Sequence, residues 1–157
     1  MKISAQDEYG IRILLRIGRA NKVDGLSIPQ LSELEGLSLA YVGKLTRALR
    51  LAGFVESTRG QKGGYVLAKP AAEIRINDVL TSLGGRLFDD QFCGGFSGLN
   101  NFCTNSVDCS VRSLWKIVQY AVDQLLEKIT LADLIGNEGE TQLSLREKLE
   151  QHLGAML

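Results

Sequence analysis

Two closely spaced helix-start signals constrain the fold of this chain more than any other feature of its sequence. Ser27 precedes Gln30 by three positions with Pro29 between them, a pattern that predicts a capping box and a short helix. Gly36 lies in a tight turn that ends this helix, and Ser38 can cap a second one. Two short helices joined by a glycine-containing turn form a helix-turn-helix, whose second helix fits the major groove of DNA.

The second of these helices is predicted to have one apolar and one polar face. Its inward positions, Val42, Leu45 and Leu49, recur at steps of three and four. The outward positions combine hydroxyl groups, an aromatic ring and cations, which suits contacts to phosphates and base edges. The residues that we expect to contact DNA on this helix are Ser38, Tyr41, Lys44 and Arg47.

A β-hairpin is predicted immediately after this helix. Residues 54–59 and 64–67 have the composition of β-strands, and residues 60–63 between them include glycines suited to a turn. The hairpin would be a wing with Arg59 and Lys62 at its tip, where Arg59 can enter a minor groove. A helix-turn-helix followed by a wing predicts a winged helix-turn-helix domain that binds double-stranded DNA.

Charge is unevenly distributed along the chain, although its net charge is zero. Residues 1–75 contain 12 Lys and Arg against 7 Asp and Glu, whereas residues 76–157 contain 6 against 11. A basic first half suits a polyanion such as DNA. An ordinary helical hairpin with a solvated cationic face would share part of this pattern. The wing and the charge asymmetry together favour DNA binding over that alternative.

Further helices are predicted on both sides of the winged region. Apolar spacing indicates an amphipathic helix over about residues 5–20. After the wing, Asn77 is expected to cap a short helix, which Gly84 and Gly85 would end.

The longest apolar pattern begins after Ser106, which we expect to cap a helix of more than twenty residues. Its apolar positions step by threes and fours and are Val107, Val111, Leu114, Trp115, Val118, Ala121, Val122, Leu125, Leu126 and Ile129. A small winged domain cannot cover a stripe of this length, which favours packing against a second copy of the chain. Packing against the N-terminal helix is the alternative, and the two are compatible. Because helix-turn-helix proteins commonly bind two half-sites by two-fold symmetry, we expect a homodimer.

Length and composition indicate one globular unit with extensions, because 157 residues, 45% of them hydrophobic and 23% charged, can bury a single core. The predicted fold is mainly α with a small β-hairpin wing. Its parts are a winged helix-turn-helix DNA-binding domain (1–85), a cysteine loop (86–110), a dimerisation helix with a short helical cap begun by Thr130 (106–137), and a C-terminal amphipathic tail (138–157) in which His152 is expected to face solvent. A secretory signal and a membrane-spanning stretch are not recognisable, which predicts a cytoplasmic protein without a membrane partner.

All three cysteines lie in a glycine- and asparagine-rich loop with the spacing C-x9-C-x5-C. In a reducing compartment, an odd number of clustered cysteines favours metal or redox chemistry over structural disulfides. Cys109 is expected in the first turn of the long helix, where the helix dipole stabilises a thiolate. Thiolates ligate iron–sulfur clusters, and a loop of this composition can wrap one. Zinc and unligated thiols remain alternatives at this spacing.

The sequence resembles a known family, the iron–sulfur-cluster regulators typified by IscR and NsrR, which are winged-helix transcription factors. The resemblance covers residues 1–137. It rests on the opening MKISAQDEYGIRILL, the helix-turn-helix segment IPQLSELEGLSLAYVGKLTRALRLAGFVESTRG, the wing GQKGGYVLAKP, the three cysteines and the ending ITLADLIGNE. It implies a homodimer that grips a palindromic operator, with an iron–sulfur cluster, 2Fe-2S or 4Fe-4S, in each cysteine loop.

The resemblance also implies ligands for the cluster. Glu8 matches an acidic residue that NsrR-like members place near the start of the first helix, where it reaches the cluster of the partner subunit, and Asp7 is adjacent. The alternative for Glu8 is an ordinary first-turn acid favoured by the helix dipole. Two features differ from typical members: the first gap between cysteines is longer, and Arg112 stands where IscR-like members have a histidine ligand. The implied ligands are Cys93, Cys103, Cys109 and Glu8.

These features predict a DNA-binding transcriptional regulator that senses redox state, nitric oxide or iron–sulfur-cluster status. One alternative is a cluster-free winged-helix regulator controlled by a protein partner or by thiol oxidation. Another is a thiol-redox enzyme, but the sequence has no C-x-x-C motif, no histidine near the cysteines and no phosphate-binding loop. The protein is therefore predicted not to be an enzyme.

Overall fold

The computed structural model describes residues 3–20, 23–58, 63–84, 86, 88, 91–95 and 103–154. Within these residues the chain is mainly helical with one two-stranded hairpin, as predicted. In chain order the elements are α1 (Ala5–Ala20), α2 (Ile28–Glu35), α3 (Leu39–Leu51), β1 (Val55–Ser57), β2 (Tyr65–Leu67), a 3-10 turn (Ala71–Glu73), α4 (Ile76–Leu83), α5 (Gln91–Gly94), α6 (Ser110–Leu126), α7 (Leu131–Leu134) and α8 (Glu138–Gly154).

The helix-turn-helix follows from its local sequence signals. The Ser27 N–H donates to Gln30 Oε1 at 2.9 Å and the Gln30 N–H donates to Ser27 Oγ at 3.4 Å, so the predicted capping box starts α2. Gly36 ends α2 in the left-handed conformation, with φ of +66°. Ser38 Oγ accepts the Tyr41 N–H at 3.3 Å and starts α3. The predicted caps and the predicted turn are confirmed.

The core lies around α1, which contacts α2, α3, α4, α7 and β2. Ile13 and Leu14 of α1 are completely buried, as are Leu45 and Leu49 of α3 and Leu131 of α7. Burying each such side chain contributes about 1.5–3 kcal/mol relative to leaving it in water. The orientation of α3 is therefore fixed by the same core that holds α1.

The contact between α1 and α4 is close because Gly10 has no side chain. A β-carbon at this position would overlap the buried side chain of Leu83. One turn away, Gln6 Nε2 donates to the Leu83 carbonyl at 2.8 Å. Gly84 then ends α4 with φ of +88°, as predicted, while Gly85 lies outside the described residues. The end of α4, from which the chain continues towards the cysteine loop, is thus held directly against α1.

The wing strands pair antiparallel, with Val55 opposite Leu67. The segment before α2 joins this hairpin: the Leu26 N–H donates to the Tyr65 carbonyl at 3.1 Å, and the Tyr65 N–H returns the bond at 2.9 Å. Gly25 has φ of +70°, and a β-carbon there would overlap the Tyr65 carbonyl. Glycine is required at this position because its backbone must pass so close to the hairpin.

The predicted start of α4 is wrong. This helix begins at Ile76, with Arg75 as its N-cap, so Asn77 lies inside the first turn instead of capping it. Arg75 pairs with Thr130 in an isolated bridge, and the Ile76 N–H donates to the Ile129 carbonyl at 2.9 Å. Pairing with a distant segment therefore decides where α4 begins.

The predicted start of the long helix is also wrong. It begins at Ser110, and Cys109 is its N-cap, with Sγ accepting the Arg112 N–H at 3.3 Å. Ser106 lies in a preceding turn, in which its N–H donates to the Cys103 carbonyl at 3.1 Å. A thiol thus caps the helix where a hydroxyl was expected, and α6 is 17 residues long.

The C-terminal helices α7 and α8 pack against each other, and α8 also contacts α6. The Thr130 N–H donates to Asp133 Oδ2 at 2.8 Å, and this capping box starts α7 as predicted. Lys148 of α8 lies 2.6 Å from the same carboxylate oxygen. His152 does not simply face solvent as expected: it is half-buried, with Nδ1 2.8 Å from Lys128 Nζ. Among the helices described, none combines the length and apolar character needed to cross a lipid bilayer.

Candidate DNA-binding face and cysteine pocket

The predicted recognition face of α3 is largely open to solvent. Ser38, Lys44 and Arg47 are exposed. Tyr41 is half-buried, because its ring packs edge-on against Tyr9 of α1, with ring centroids 6.1 Å apart and planes at 86°. The fold therefore leaves three of the four predicted contact residues accessible to a duplex, while Tyr41 also fixes α3 against α1.

An ion cluster that sequence reasoning missed holds the helix-turn-helix against α1. The Glu35 side chain at the end of α2 is only 1% exposed, and Arg12 Nε lies 2.7 Å from its Oε2. Arg16 contacts the other carboxylate oxygen. The Arg12 guanidinium also lies over the Tyr9 ring, 5.6 Å from its centroid. Two arginines four positions apart beside the apolar face of α1 could have indicated a shared acidic partner. That partner, Glu35, is distant in sequence, so the spacing did not identify it.

The base of the wing is anchored by one hydroxyl. Thr58 Oγ1 donates to the Asp24 carbonyl at 3.0 Å and accepts the Gly64 N–H at 2.8 Å. This arrangement ties the hairpin to the segment before α2. The predicted wing-tip residues, Arg59 and Lys62, lie outside the described residues.

The three cysteines line one cavity of about 280 Å³ beside the N-terminus of α6. Cys93, Cys103 and Cys109 are half-buried free thiols. The other side chains of the wall are Phe88, Asn105, Val111, Arg112 and Trp115. The structure therefore brings together the three cysteines that the sequence separates by 16 positions.

The three thiols of this cavity are sulfur donors of the kind that bind iron. Among the residues described, no group of three or more His, Cys, Asp and Glu converges closely enough to hold one metal ion. The ligands of a cluster are distributed over two or four iron atoms, so they surround a cavity instead of meeting at one point. The Arg112 N–H donates to Cys109 Sγ, and backbone amides that donate to ligand sulfurs in this way change the reduction potential of iron–sulfur clusters. The Arg112 side chain is fixed by its Nη1, which donates to the Ser106 carbonyl at 2.9 Å.

The two acidic residues at the start of α1 have different environments. Asp7 is 4% exposed, and its Oδ2 accepts the N–H and the hydroxyl of Ser4 at 3.1 and 2.5 Å, in a capping arrangement that starts α1. Its Oδ1 has no hydrogen-bond partner among the described residues. Glu8 is exposed and is not among the described residues that line the cysteine cavity. Of the two, Glu8 is therefore the one accessible to another molecule.

A buried glutamine that was not predicted connects the cysteine pocket to the long helix. Gln119 is 6% exposed, and its Oε1 accepts the Phe88 N–H at 3.0 Å. Its Nε2 donates to Asp123 at 2.7 Å, and Asp123 pairs with Arg86 at 2.7 Å. A polar residue one turn beyond Trp115 in an apolar stripe was the signal available in the sequence.

Much of the apolar stripe of α6 is open to solvent in the single chain. Its large exposed side chains on α6 are Val111 (60%), Leu114 (53%) and Trp115 (45%). Ile117 (61%) and Tyr120 (54%), which lie outside the predicted stripe, are exposed as well. The alternative prediction, that this helix is covered by α1, does not account for these side chains. Large apolar side chains exposed together on one helix are typical of an interaction surface.

Comparison with known proteins agrees with this architecture. The model of the Rrf2 family, described as an iron-dependent transcriptional regulator, matches residues 3–137. The HTH-type transcriptional regulator IscR of Serratia proteamaculans is 30% identical over 138 residues, which cover 88% of this chain and 81% of that protein.

Two solved structures are also similar. The IscR of T. potens has a TM-score of 0.66 and 30% identity, covering 86% of each chain. CymR, the global cysteine regulator of B. subtilis, has a TM-score of 0.67 and 28% identity, covering 86% of this chain and 96% of that one. From its family match, its relatives and its winged helix-turn-helix fold, the chain belongs to the Rrf2 family of DNA-binding transcriptional regulators.

Proposed function

We propose that this protein regulates transcription as a homodimer whose affinity for its operator depends on an iron–sulfur cluster. The observation that carries the proposal is the single cavity shared by the three thiols. A regulator of transcription acts where the chromosome is, so we also propose a cytoplasmic location. The signal would be redox state, nitric oxide or the supply of iron and clusters.

Cys93, Cys103 and Cys109 would hold the cluster. Cys109 Sγ lies at the N-terminus of α6, whose dipole stabilises negative charge, and Arg112 lines the same cavity as all three cysteines. When bound, the cluster supplies iron that exchanges electrons and reacts with oxidants or nitric oxide. Trp115 and other apolar side chains of the cavity would limit access of water to it, which is one way proteins tune such centres.

Glu8 would supply an oxygen ligand to the cluster of the partner subunit. Its exposure supports this role, whereas Asp7 is buried and engaged in capping α1. An oxygen ligand on iron exchanges more readily than a thiolate, which suits a site where a signal must enter. Replacing Glu8 with Ala should change the visible spectrum of the anaerobically purified protein, whereas Glu33→Ala, which removes an exposed glutamate of α2, should not.

The exposed face of α6 would pack against the same face of a second copy. Such a contact would bring two α3 helices into the two-fold arrangement that a palindromic operator requires. A cluster held between Glu8 of one protomer and the thiols of the other would then set the spacing of these helices. A coupling of about 1–3 kcal/mol is enough to change DNA affinity about 5- to 150-fold.

DNA contacts would come from Ser38, Tyr41, Lys44 and Arg47 on α3, with Arg59 and Lys62 of the wing in the minor groove or on phosphates. Replacing Arg59 with Ala should weaken binding and reduce the dependence of affinity on salt, because a phosphate or groove contact is lost. Unchanged affinity and salt dependence would contradict the role given to Arg59.

The decisive experiment is anaerobic purification followed by iron and sulfide quantitation, visible spectroscopy and DNA-binding measurements. We expect bound iron and sulfide in the wild type and their loss in Cys103→Ser. Ser106→Ala is the matched control, because it changes the same loop without removing a thiol. Iron-free protein whose DNA affinity is the same with and without the thiols would contradict the proposal.

A second candidate is a regulator that responds to oxidation of the thiols themselves. It is favoured by the three free thiols in one cavity, which are available for oxidation, and by the structural similarity to CymR. In that case the purified protein would be colourless and iron-free, and its DNA affinity would change on treatment with peroxide and recover with a reductant.

A further inference from the structure

An exposed leucine stands at the start of the recognition helix without a role in the core. Leu39 is the first residue of α3, and 56% of its surface remains accessible. The residues of α3 that are buried are Val42, Leu45, Thr46 and Leu49. In helix-turn-helix proteins, the N-terminal residues of the recognition helix are those that contact base edges. An apolar side chain is thus presented at the position where polar readers are usual.

Gly43, one turn further along, is not required by the fold. Gly43 is not among the glycines with positive φ, and of the residues that the structure describes a β-carbon there would meet only Ile28 Cδ1, at an ordinary contact distance of 3.8 Å. Glycine in the interior of a helix is destabilising relative to alanine. Neither backbone conformation nor packing against the described residues therefore calls for glycine at this position, which leaves space there for a contact outside the chain.

Leu39, Ala40 and Gly43 are neighbours on the helix surface, since residues three and four apart lie side by side. Leu39 and Ala40 are exposed and stand beside Gly43, a position without a side chain; we call these three residues the apolar notch. The side chains of Leu39 and Ala40 cannot donate or accept a hydrogen bond, and Gly43 has no side chain. The cations Lys44 and Arg47 follow Ala40 and Gly43 by four positions and continue the same strip towards the C-terminus of α3.

We propose that this notch binds the C5-methyl group of a thymine in each operator half-site. The thymine methyl is the apolar group that the base edges present in the major groove, so it is the feature that a notch without hydrogen-bonding groups can recognise. The inference rests on the proposed DNA-binding role of α3 and adds a base-specific contact to it. Gly43 and Leu39 are thereby specificity-determining residues.

The test begins with duplexes that the wild-type protein selects from a random pool. Each thymine of a selected duplex is then replaced by uracil, which removes only the methyl group, and affinity is measured by fluorescence anisotropy. One or two uracils per half-site should weaken binding about 4-fold, which corresponds to about 0.8 kcal/mol for one buried carbon group. Uracil at the other positions should have no effect.

Two variants identify the residues that make the contact. In Leu39→Ala the uracil penalty at the sensitive position should shrink towards 1-fold, because the larger side chain of the notch is gone. Leu51→Ala is the matched control: it removes another exposed leucine of α3, 74% accessible, and should keep the full penalty. Gly43→Leu, which fills the notch, should lower affinity and abolish the penalty.

The outcomes separate this inference from the proposed function. Wild-type protein that selects a duplex but is indifferent to uracil at every position overturns the thymine contact and leaves DNA binding intact. A penalty that persists unchanged in Leu39→Ala overturns the assignment to the notch. Failure to select any duplex, by cluster-bearing or cluster-free protein, overturns both proposals.

Discussion

Because the Glu35 carboxylate is buried, removing its two arginine partners should lower the free energy of unfolding more than removing the carboxylate itself. Glu35 is almost completely enclosed, whereas the Arg12 and Arg16 side chains are 43% and 40% exposed. If Glu35 is replaced by Met, both guanidinium groups can still be solvated by water. If both arginines are replaced by Met, a carboxylate is left buried without a cation.

The magnitudes follow from this asymmetry. Glu35→Met removes two charge-assisted hydrogen bonds, but water can replace both at the exposed guanidinium groups. The expected loss is therefore about 1.5–3 kcal/mol, the value of one such bond. Arg12→Met with Arg16→Met strands a buried charge, which costs about 3–5 kcal/mol. The variant with all three substitutions should recover much of that loss, since replacing a whole buried ion cluster by apolar groups is often nearly neutral.

Urea unfolding followed by circular dichroism, at one fixed protein concentration, measures these differences. With a slope of about 2 kcal/mol per M urea, the midpoints of these two ranges put the double arginine variant about 0.9 M below Glu35→Met. The triple variant should unfold above the double variant. The reasoning is refuted if Glu35→Met is the less stable of the two, or if the triple variant is the least stable of all.

Three further predictions follow from individual contacts. Ser38→Ala should lower the free energy of unfolding by about 1 kcal/mol through loss of the α3 cap, and Ser38→Asp, which retains a cap, should restore it in urea titrations. Ile117→Glu should convert a dimer to a monomer in light scattering, because it puts a charge on the exposed apolar face of α6; an unchanged mass would contradict the use of that face. Burial alone would raise the pKa of Asp133, but hydrogen bonds from Lys148 and Thr130 outweigh it and hold the pKa below its usual value. This stabilisation is complete above the ordinary aspartate pKa and is lost as pH falls through the folded-state pKa, so acidification from pH 6 to about pH 3 should reduce wild-type stability more than that of Lys148→Met. Equal losses in the two proteins would remove Lys148 from the explanation.

Features set within a few residues of sequence were predictable from the sequence. In the Ser27–Gln30 capping box and the Ser38 cap, side chain and backbone partner are three positions apart. The Gly36 turn depends on the positive φ of that one residue. The residue types at these positions are those that favour helix caps, so the sequence alone predicts where α2 and α3 begin. The resemblance to the family likewise identified the winged fold, since it rested on the same local motifs.

Features set by distant partners were not predictable in this way. Asn77 had the composition of a cap, but the pairing of Arg75 with Thr130 moved the helix start. Burial of Glu35 depends on two arginines of another helix, and burial of Gln119 depends on the backbone of Phe88. Helix periodicity describes one element at a time, whereas these contacts depend on how elements meet.

The candidate site was predicted in its composition but not in its geometry. The sequence gathered the three cysteines into one loop, yet it did not reveal that Cys109 would itself cap α6 or that Arg112 would anchor to Ser106. Thiols are uncommon caps, so a serine nearby was the stronger local signal. In the structure Ser106 belongs instead to a turn, in which its N–H donates to the Cys103 carbonyl, and it does not cap α6.

The absence of a side chain at Gly10 has a mechanical consequence. Where two helices are separated by long side chains, a small displacement of one can be absorbed by rotamer changes. Here the α1 backbone at Gly10 packs directly against the Leu83 side chain, and Gln6 Nε2 donates a hydrogen bond to the carbonyl of the same residue. A force on the chain just beyond α4 would therefore displace α1 together with α4, because the close contact between the two helices leaves little room for relative movement.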